Sequence, residues 1–180
     1  LADTDATVLL VARTREKLEE TLKEVEAKGG RAFIHTCDVS SMEDCDRLVQ
    51  EVLAQHGRVD VLVNNAGRSI RRGIASSFDR FHDFERTMQL NYFGSLRLIM
   101  GFLPSMMKNK RGQIINISSI GVLTQAPRFS AYVASKAALE PLWVSVEIIT
   151  TGIGRSRISV SRNSSPFIRG ISTSSVRTSG

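Results

Sequence analysis

The stretch Ser130 to Ala138, SAYVASKAA, sets a phenol and an amine four residues apart in a run of small, mostly helix-forming residues. On a helix, positions i and i+4 stack on one face, so Tyr132 and Lys136 can meet over a common site. A free tyrosine titrates near about pH 10, and a neighbouring cation that favours the phenolate lets it trade protons at neutral pH. The same pair is also compatible with a solvated helix face, where it contributes only a few tenths of a kcal/mol. The elements that position the pair must decide between these readings.

Those elements alternate along the chain. ATVLLVART is a short β-branched strand, and the helix after it, REKLEETLKEVEAKGG, carries Leu18, Leu22 and Val25 on one face before Gly29 and Gly30 stop it. RAFIHTCDV is a second strand. Ser40 or Ser41 then caps a helix with Leu48, Val49, Val52 and Leu53 inward and Gly57 at its end. VDVLVNNAG is a third strand, continuously apolar as parallel strands buried on both faces are. A long apolar helix spans FHDFERTMQLNYFGSLRLIMGFLPSMMKNKRG, with Pro104 near its far end. QIINISS is a fourth strand, and AYVASKAALEPLWVSVEII a further helix in which Pro141 is expected to impose a kink. Alternation of this kind predicts an α/β fold, a parallel sheet wrapped on both faces.

In such sheets ligands sit outside the carboxyl ends of the strands. The residues there are Arg13 and Arg15 after the first strand, Asp38 after the second, Asn64, Asn65, Ala66 and Gly67 after the third, and Ser118 and Ser119 after the fourth. Each alone reads as a solvated charge, a loop cap or a tight turn. Together with Tyr132 and Lys136 they line one edge of one sheet.

Composition narrows the classes. At 180 residues and 42% hydrophobic content the chain suits one domain with a real core, and its longest apolar runs are strand-sized, too short to span a membrane. No stretch at the start reads as a signal peptide, and Cys37 and Cys45 sit in no metal or redox spacing, so no metal and a cytoplasmic setting are expected. The net charge of +6 does not imply nucleic acid: residues 151–180 hold five arginines and no acidic residue, which accounts for all but one of those charges. A Ser/Arg-rich tail without interleaved aromatics is expected to be the last strand and loop of the domain or disordered, beyond a domain body at residues 1–150.

NNAG, NISS and YVASK, in this order and spacing, resemble the short-chain dehydrogenase/reductase family from about Thr7 to Leu139. The stretches NNAGRSIRRGIASSFDRFHDFERTMQLNYFG and GQIINISSIGVLTQAPRFSAYVASKAAL are similar in detail to bacterial fatty acyl-CoA reductases. The resemblance implies a Rossmann-type doubly wound parallel sheet and an NADP-dependent reductase of a carbonyl, the substrate being a long-chain acyl-CoA or fatty aldehyde. It implies Tyr132 as the proton donor and Lys136 as its cation and holder of the nicotinamide ribose. Ser119, thirteen residues before Tyr132, would then donate to the substrate carbonyl oxygen, and Asn91 would complete a proton relay. Arg13 stands where the family chooses its dinucleotide and favours a 2′-phosphate, hence NADP(H). Asp38 and Val39 match the pair that borders the adenine, and Asn64, Ala66 and Gly67 the loop on the adenosine ribose. Arg68, Arg71 and Arg72 form a basic cluster at the same edge, able to meet substrate phosphates or to be a solvated loop.

The family's glycine-rich turn, which should follow a strand preceding Val8, is not in this sequence, and TTGIGRS at Thr150 to Ser156 follows a helix, the wrong context for it. The absent strand is the central one of the topology, so the sheet is expected to have a gap at its middle and the sequence to be part of a longer chain. Near the other end Ser161 and Ser165 stand where the family has a proline and a threonine that holds the nicotinamide carboxamide. The full-length protein is expected to be a homo-oligomer; the alternative to an enzyme is an inactive fragment that serves only as an interaction module.

Overall fold

The computed structural model of the chain describes residues 5–142, 145–151 and 155–160. β1 (Thr7–Ala12) leads through Thr14 into α1 (Arg15–Ala27), and β2 (Arg31–Thr36) pairs with β1 in parallel, Thr7 opposite Arg31 through Ala12 opposite Thr36. The reversal between α1 and β2 passes through Gly29 at φ 76°, a left-handed conformation that side chains rarely adopt. α2 (Met42–His56) starts at Ser41, whose Oγ accepts the Asp44 N–H at 3.1 Å, so Ser41 rather than Ser40 is the cap. Leu48 and Val52 are buried, with Val49 and Leu53 packed against the same core.

β3 (Val61–Asn64) pairs in parallel with β4 (Gly112–Asn116). Between them run α3 (Phe81–Met88), a π-helical stretch at Gln89–Gly94, and α4 (Ser95–Lys108), the long helix expected from the apolar pattern. α5 (Ile120–Thr124) and α6 (Ser130–Leu139) come after β4. One apolar cluster joins the two halves: Cys37, Val39, Cys45, Leu48 and Val52 from the β2–α2 side meet Leu98, Ile99, Phe102, Met106 and Ile114 from the α4–β4 side. The α2–α4 contact is close because Gly101 has no side chain; a Cβ there would stand 2.5 Å from Val49 Cγ2. Arg97 adds a two-pronged bond to Asp46, both oxygens at 2.6 Å.

β1 and β2 form one sheet; β3 and β4 belong to another. The break falls between β1 and β3, where the expected gap lies. Its consequence corrects one expectation: β3 is not buried on both faces, since Val61 and Val63 are 50% and 45% exposed. Strand-like apolar continuity reports the environment of a complete sheet, and β3 lacks a neighbour on that side.

A second correction concerns the last helix. α6 ends at Leu139, a 3-10 turn spans Glu140–Leu142, and β5 (Ser145–Thr151) and β6 (Arg155–Val160) continue the β3–β4 sheet in antiparallel fashion. Pro141 therefore terminates the helix instead of kinking it: its ring disfavours a helical residue before it and it has no N–H to donate. The run rich in β-branched residues at Ser145–Thr151 then extends as a strand. No helix among the described residues is long and apolar enough to cross a membrane.

Candidate active site

Asn91 lies in the π-helical stretch between α3 and α4 and is fully buried. A π turn inside an α-helix re-aims the side chains around it and recurs at functional sites. Here it directs the Asn91 amide at the loop after β3. Oδ1 accepts the Arg68 N–H at 2.8 Å, and Nδ2 donates to the Arg68 carbonyl at 3.0 Å and to Ser135 Oγ at 2.9 Å. Ser135 Oγ in turn donates to the Tyr132 carbonyl at 2.7 Å. A continuous hydrogen-bonded chain thus runs from the post-β3 loop through Asn91 to the backbone of the residue that carries the phenol.

Lys136, one turn after Tyr132 on α6, is 3% exposed. Its Nζ donates at 2.8 Å to the Ile117 carbonyl, in the segment that leads from β4 to Ser118 and Ser119. Burial pushes the Lys136 pKa down. Gly67 lies directly beneath this ammonium: a Cβ there would come within 3.2 Å of Nζ and 3.4 Å of Asn91 Oδ1. A Cβ at this approach would make the ammonium give way by a few tenths of an ångström, and the backbone angles make no demand for glycine.

Ser119 caps α5, its Oγ accepting the Gly121 N–H at 3.2 Å, and α5 packs against α6 beside Val133. A capping hydroxyl still has its own proton to donate, so this bond leaves Ser119 able to act on an incoming oxygen. Ser118 instead lies 3.5 Å from Glu140 Oε1 and is exposed.

Asn64 is buried, and its Nδ2 donates at 2.9 Å to Asn116 Oδ1, directly opposite it across the β3–β4 pair. Asn116 Nδ2 then reaches the Leu139 carbonyl at 3.3 Å, one of the last acceptors of α6. This links both strands to the far end of the helix that carries Tyr132 and Lys136. Ala66 and Gly67, just beyond, are exposed at the strand edge.

At the ends of β1 and β2 the geometry is looser. Arg13 Nη1 stands 4.0 Å from Asp38 Oδ2, the two side chains being 71% and 38% exposed. Asp38 is first of all a loop brace: its Oδ1 accepts from the Ser40 hydroxyl at 2.6 Å and from the Ser40 N–H at 2.9 Å, and these bonds, with help from Arg13, hold its carboxyl below the usual range. Val39 is buried against the π-helical stretch; a Cβ on Gly94 would lie 2.1 Å from the Val39 carbonyl oxygen. Gln89 Nε2 donates to the Ser40 carbonyl at 3.0 Å. The residues 89–94 therefore tie the two ends of the edge together.

The structure thus gathers Gly67, Asn91, Lys136 and the segment before Ser119 around α6, and places Arg13, Asp38 and Val39 together at the other end. Ser165 lies outside the described residues. Ser135, Asn116, Gln89 and the Ile117 carbonyl were not singled out by sequence reasoning. Ser135 and Asn116 sit inside the quoted YVASK and NISS motifs and were legible there as polar residues without an assigned task; a backbone carbonyl leaves no mark in a sequence.

Residues 1–160 match the family described as short chain dehydrogenase. The chain belongs to the short-chain dehydrogenase/reductase family. Over 171 residues it is 54% identical to a fatty acyl-CoA reductase of Acinetobacter baylyi, covering 94% of this chain and 56% of that protein. Another fatty acyl-CoA reductase, from Mycobacterium tuberculosis, is 50% identical over 74% of this chain and 46% of its own length. Among solved structures, a metagenomic short-chain oxidoreductase in complex with NADP shares 39% identity at a TM-score of 0.71, covering 76% of this chain and 62% of that one. The chain spans about half the length of the curated relatives it matches.

The residues present fit a nicotinamide dinucleotide at two points. Lys136 has three N–H donors and spends one on Ile117, and Arg13 offers an exposed guanidinium at the strand edge. Among the described residues no glycine-rich turn opens a helix toward a pyrophosphate.

Proposed function

We propose that this chain carries the catalytic half of an NADP-dependent reductase that transfers hydride to a long-chain acyl-CoA or the corresponding fatty aldehyde. The observation that carries the reading is Lys136: a buried ammonium, one helical turn from Tyr132, with donors to spare and its approach to Gly67 left clear. When bound, the dinucleotide supplies the hydride. Tyr132 gives its hydroxyl proton to the carbonyl oxygen as that oxygen gains charge, and Lys136 stabilises the phenolate left behind. Ser119 donates a hydrogen bond to the same oxygen. Asn91, through Ser135, fixes the helix turn that carries Tyr132, and Arg13 selects the 2′-phosphate. The names of the two fatty acyl-CoA reductases support the substrate class. Exposed Phe93, Met100 and Met107, spaced seven residues apart along the 89–108 helix, support self-association through one apolar stripe.

The test is NADPH oxidation followed with a fatty aldehyde and with a long-chain acyl-CoA. Tyr132→Phe should lower the rate by about 10²–10⁴-fold, the range for a general acid. A fully active Tyr132→Phe chain, or no oxidation with either substrate, would overturn the reading.

A further inference from the structure

The loop after β3 crosses the amino end of α6 and is fastened to it along the way. Arg68 is held by both backbone groups to Asn91. Arg72 pairs with Phe129 as an isolated β-bridge, its carbonyl accepting the Ser130 N–H at 3.3 Å. At Gly73 a Cβ would stand 3.0 Å from the Pro127 carbonyl and 3.9 Å from Arg128 Cα. Residues 68–73 and 127–130 are therefore two backbone segments in contact, and the second of them leads directly into the helix turn that carries Tyr132.

Their arginines divide into two kinds. Arg72 already has a carboxylate partner: its Nε lies 3.4 Å from buried Asp83, which it shares with Arg80 at 3.3 Å and His82 at 3.4 Å. Arg68, Arg71 and Arg128 are exposed and, among the described residues, have no carboxylate within ion-pair distance. Three exposed guanidiniums without carboxylate partners, carried on two backbone segments in contact, make this surface positive, and a guanidinium is the side chain best matched to phosphate oxygens.

We infer that Arg68, Arg71 and Arg128 form the docking site for the phosphorylated nucleotide arm of a coenzyme A thioester, holding it at the rim while the acyl carbonyl reaches Tyr132. The inference rests on the acyl-CoA reading of the function and names the residues that would separate a thioester from a free aldehyde. The shared chemistry is that of a phosphate cluster, and the competing source is the dinucleotide. Arg13, at the ends of β1 and β2, already offers that dinucleotide a separate cation.

The test is calorimetric titration of the chain with free CoA, repeated after saturation with NADPH and at rising salt. The wild-type chain should bind CoA with strong salt dependence and keep it in the presence of NADPH. Arg68→Gln, Arg71→Gln and Arg128→Gln combined should weaken CoA at least tenfold and flatten the salt dependence, with the thermal midpoint unchanged. Should the triple variant unfold, Arg71→Gln and Arg128→Gln singly should each weaken CoA about threefold. Unaltered CoA affinity in the folded variants, displacement of CoA by NADPH, or no CoA binding by the folded wild type would each overturn the inference. Because free CoA carries no acyl thioester to reduce and the aldehyde assay involves no CoA, failure here is distinguishable from failure of the reductase reading.

Discussion

Two ends of the candidate site are built to different standards. Around α6, Asn91 and Ser135 are fully buried and Lys136 nearly so, each with a named hydrogen-bond partner. At the ends of β1 and β2, Arg13 faces Asp38 across 4.0 Å with most of its side chain in water. Proton transfer requires groups held to within a fraction of an ångström, and buried polar networks that are fully satisfied supply that rigidity. Choosing between a hydroxyl and a phosphate requires only a charge of the right sign at the rim. The difference implies that substitutions at the first end act through the fold, whereas those at the second act through screened electrostatics.

Gly94 offers the harshest break of this comparison, because it lies where the two ends meet. Gly94→Ala places a methyl against the Val39 carbonyl, a backbone atom that cannot rotate away. We expect a loss of about 3 kcal/mol, the upper end for overpacking, read from the urea midpoint, with both ends of the site disturbed together. Asn91→Leu should cost about 2–3 kcal/mol, since it leaves the Arg68 N–H and carbonyl and Ser135 without their buried partner. A Leu variant as stable as wild type would show that water replaces the amide and that the first end is not rigid.

The same contrast explains what the sequence made legible. A serine cap at Ser40 or Ser41, the stop near Gly29, the long helix through Asn91 and the helix that carries Tyr132 and Lys136 come from local rules, and all appear where those rules place them, the cap at Ser41. Val61 and Val63 did not, because their apolar pattern records a neighbour that is not beside them here. Pro141 was visible as a helix breaker, but whether it bends or ends a helix depends on the residues C-terminal to it, and a run rich in β-branched side chains decided it. The braces at Ser135, Asn116 and Gln89 depend on tertiary register: Asn64 and Asn116 are 52 residues apart in sequence and face each other only because the strands pair. Asn91 was a polar residue in an apolar helix, which signalled a task, yet its partners at Arg68 are backbone groups that no residue type reveals.

Lys136 sharpens the comparison through pH. Burial lowers its pKa, so between that lowered value and the ordinary lysine value of about 10.4 the unfolded chain binds more protons than the folded one. Stability from this group therefore rises with pH across that window, and it falls as pH drops and the buried ammonium reprotonates. Lys136→Met abolishes the titration, so the stability of wild type minus that of Lys136→Met should climb as pH rises into the alkaline range. A flat difference would mean that Lys136 is more hydrated than its 3% exposure indicates.

The smallest effect belongs to Arg13. In its proposed role its exposed guanidinium would gain from a 2′-phosphate only what a screened surface pair supplies, about 1 kcal/mol, which is about fivefold in relative affinity. Arg13→Ala should reduce the preference for NADPH over NADH by that factor at low salt and by less at high salt, where the screening length shortens. The fold should not register the change, because Asp38 keeps its bonds from Ser40 when the arginine is gone. A loss of thermal stability in Arg13→Ala would contradict the division between the two ends, since it would make the Arg13–Asp38 pair structural. A preference that falls a hundredfold and ignores salt would instead require Arg13 to be desolvated against the phosphate, which would place a buried, close-fitting contact at the rim as well as at Lys136.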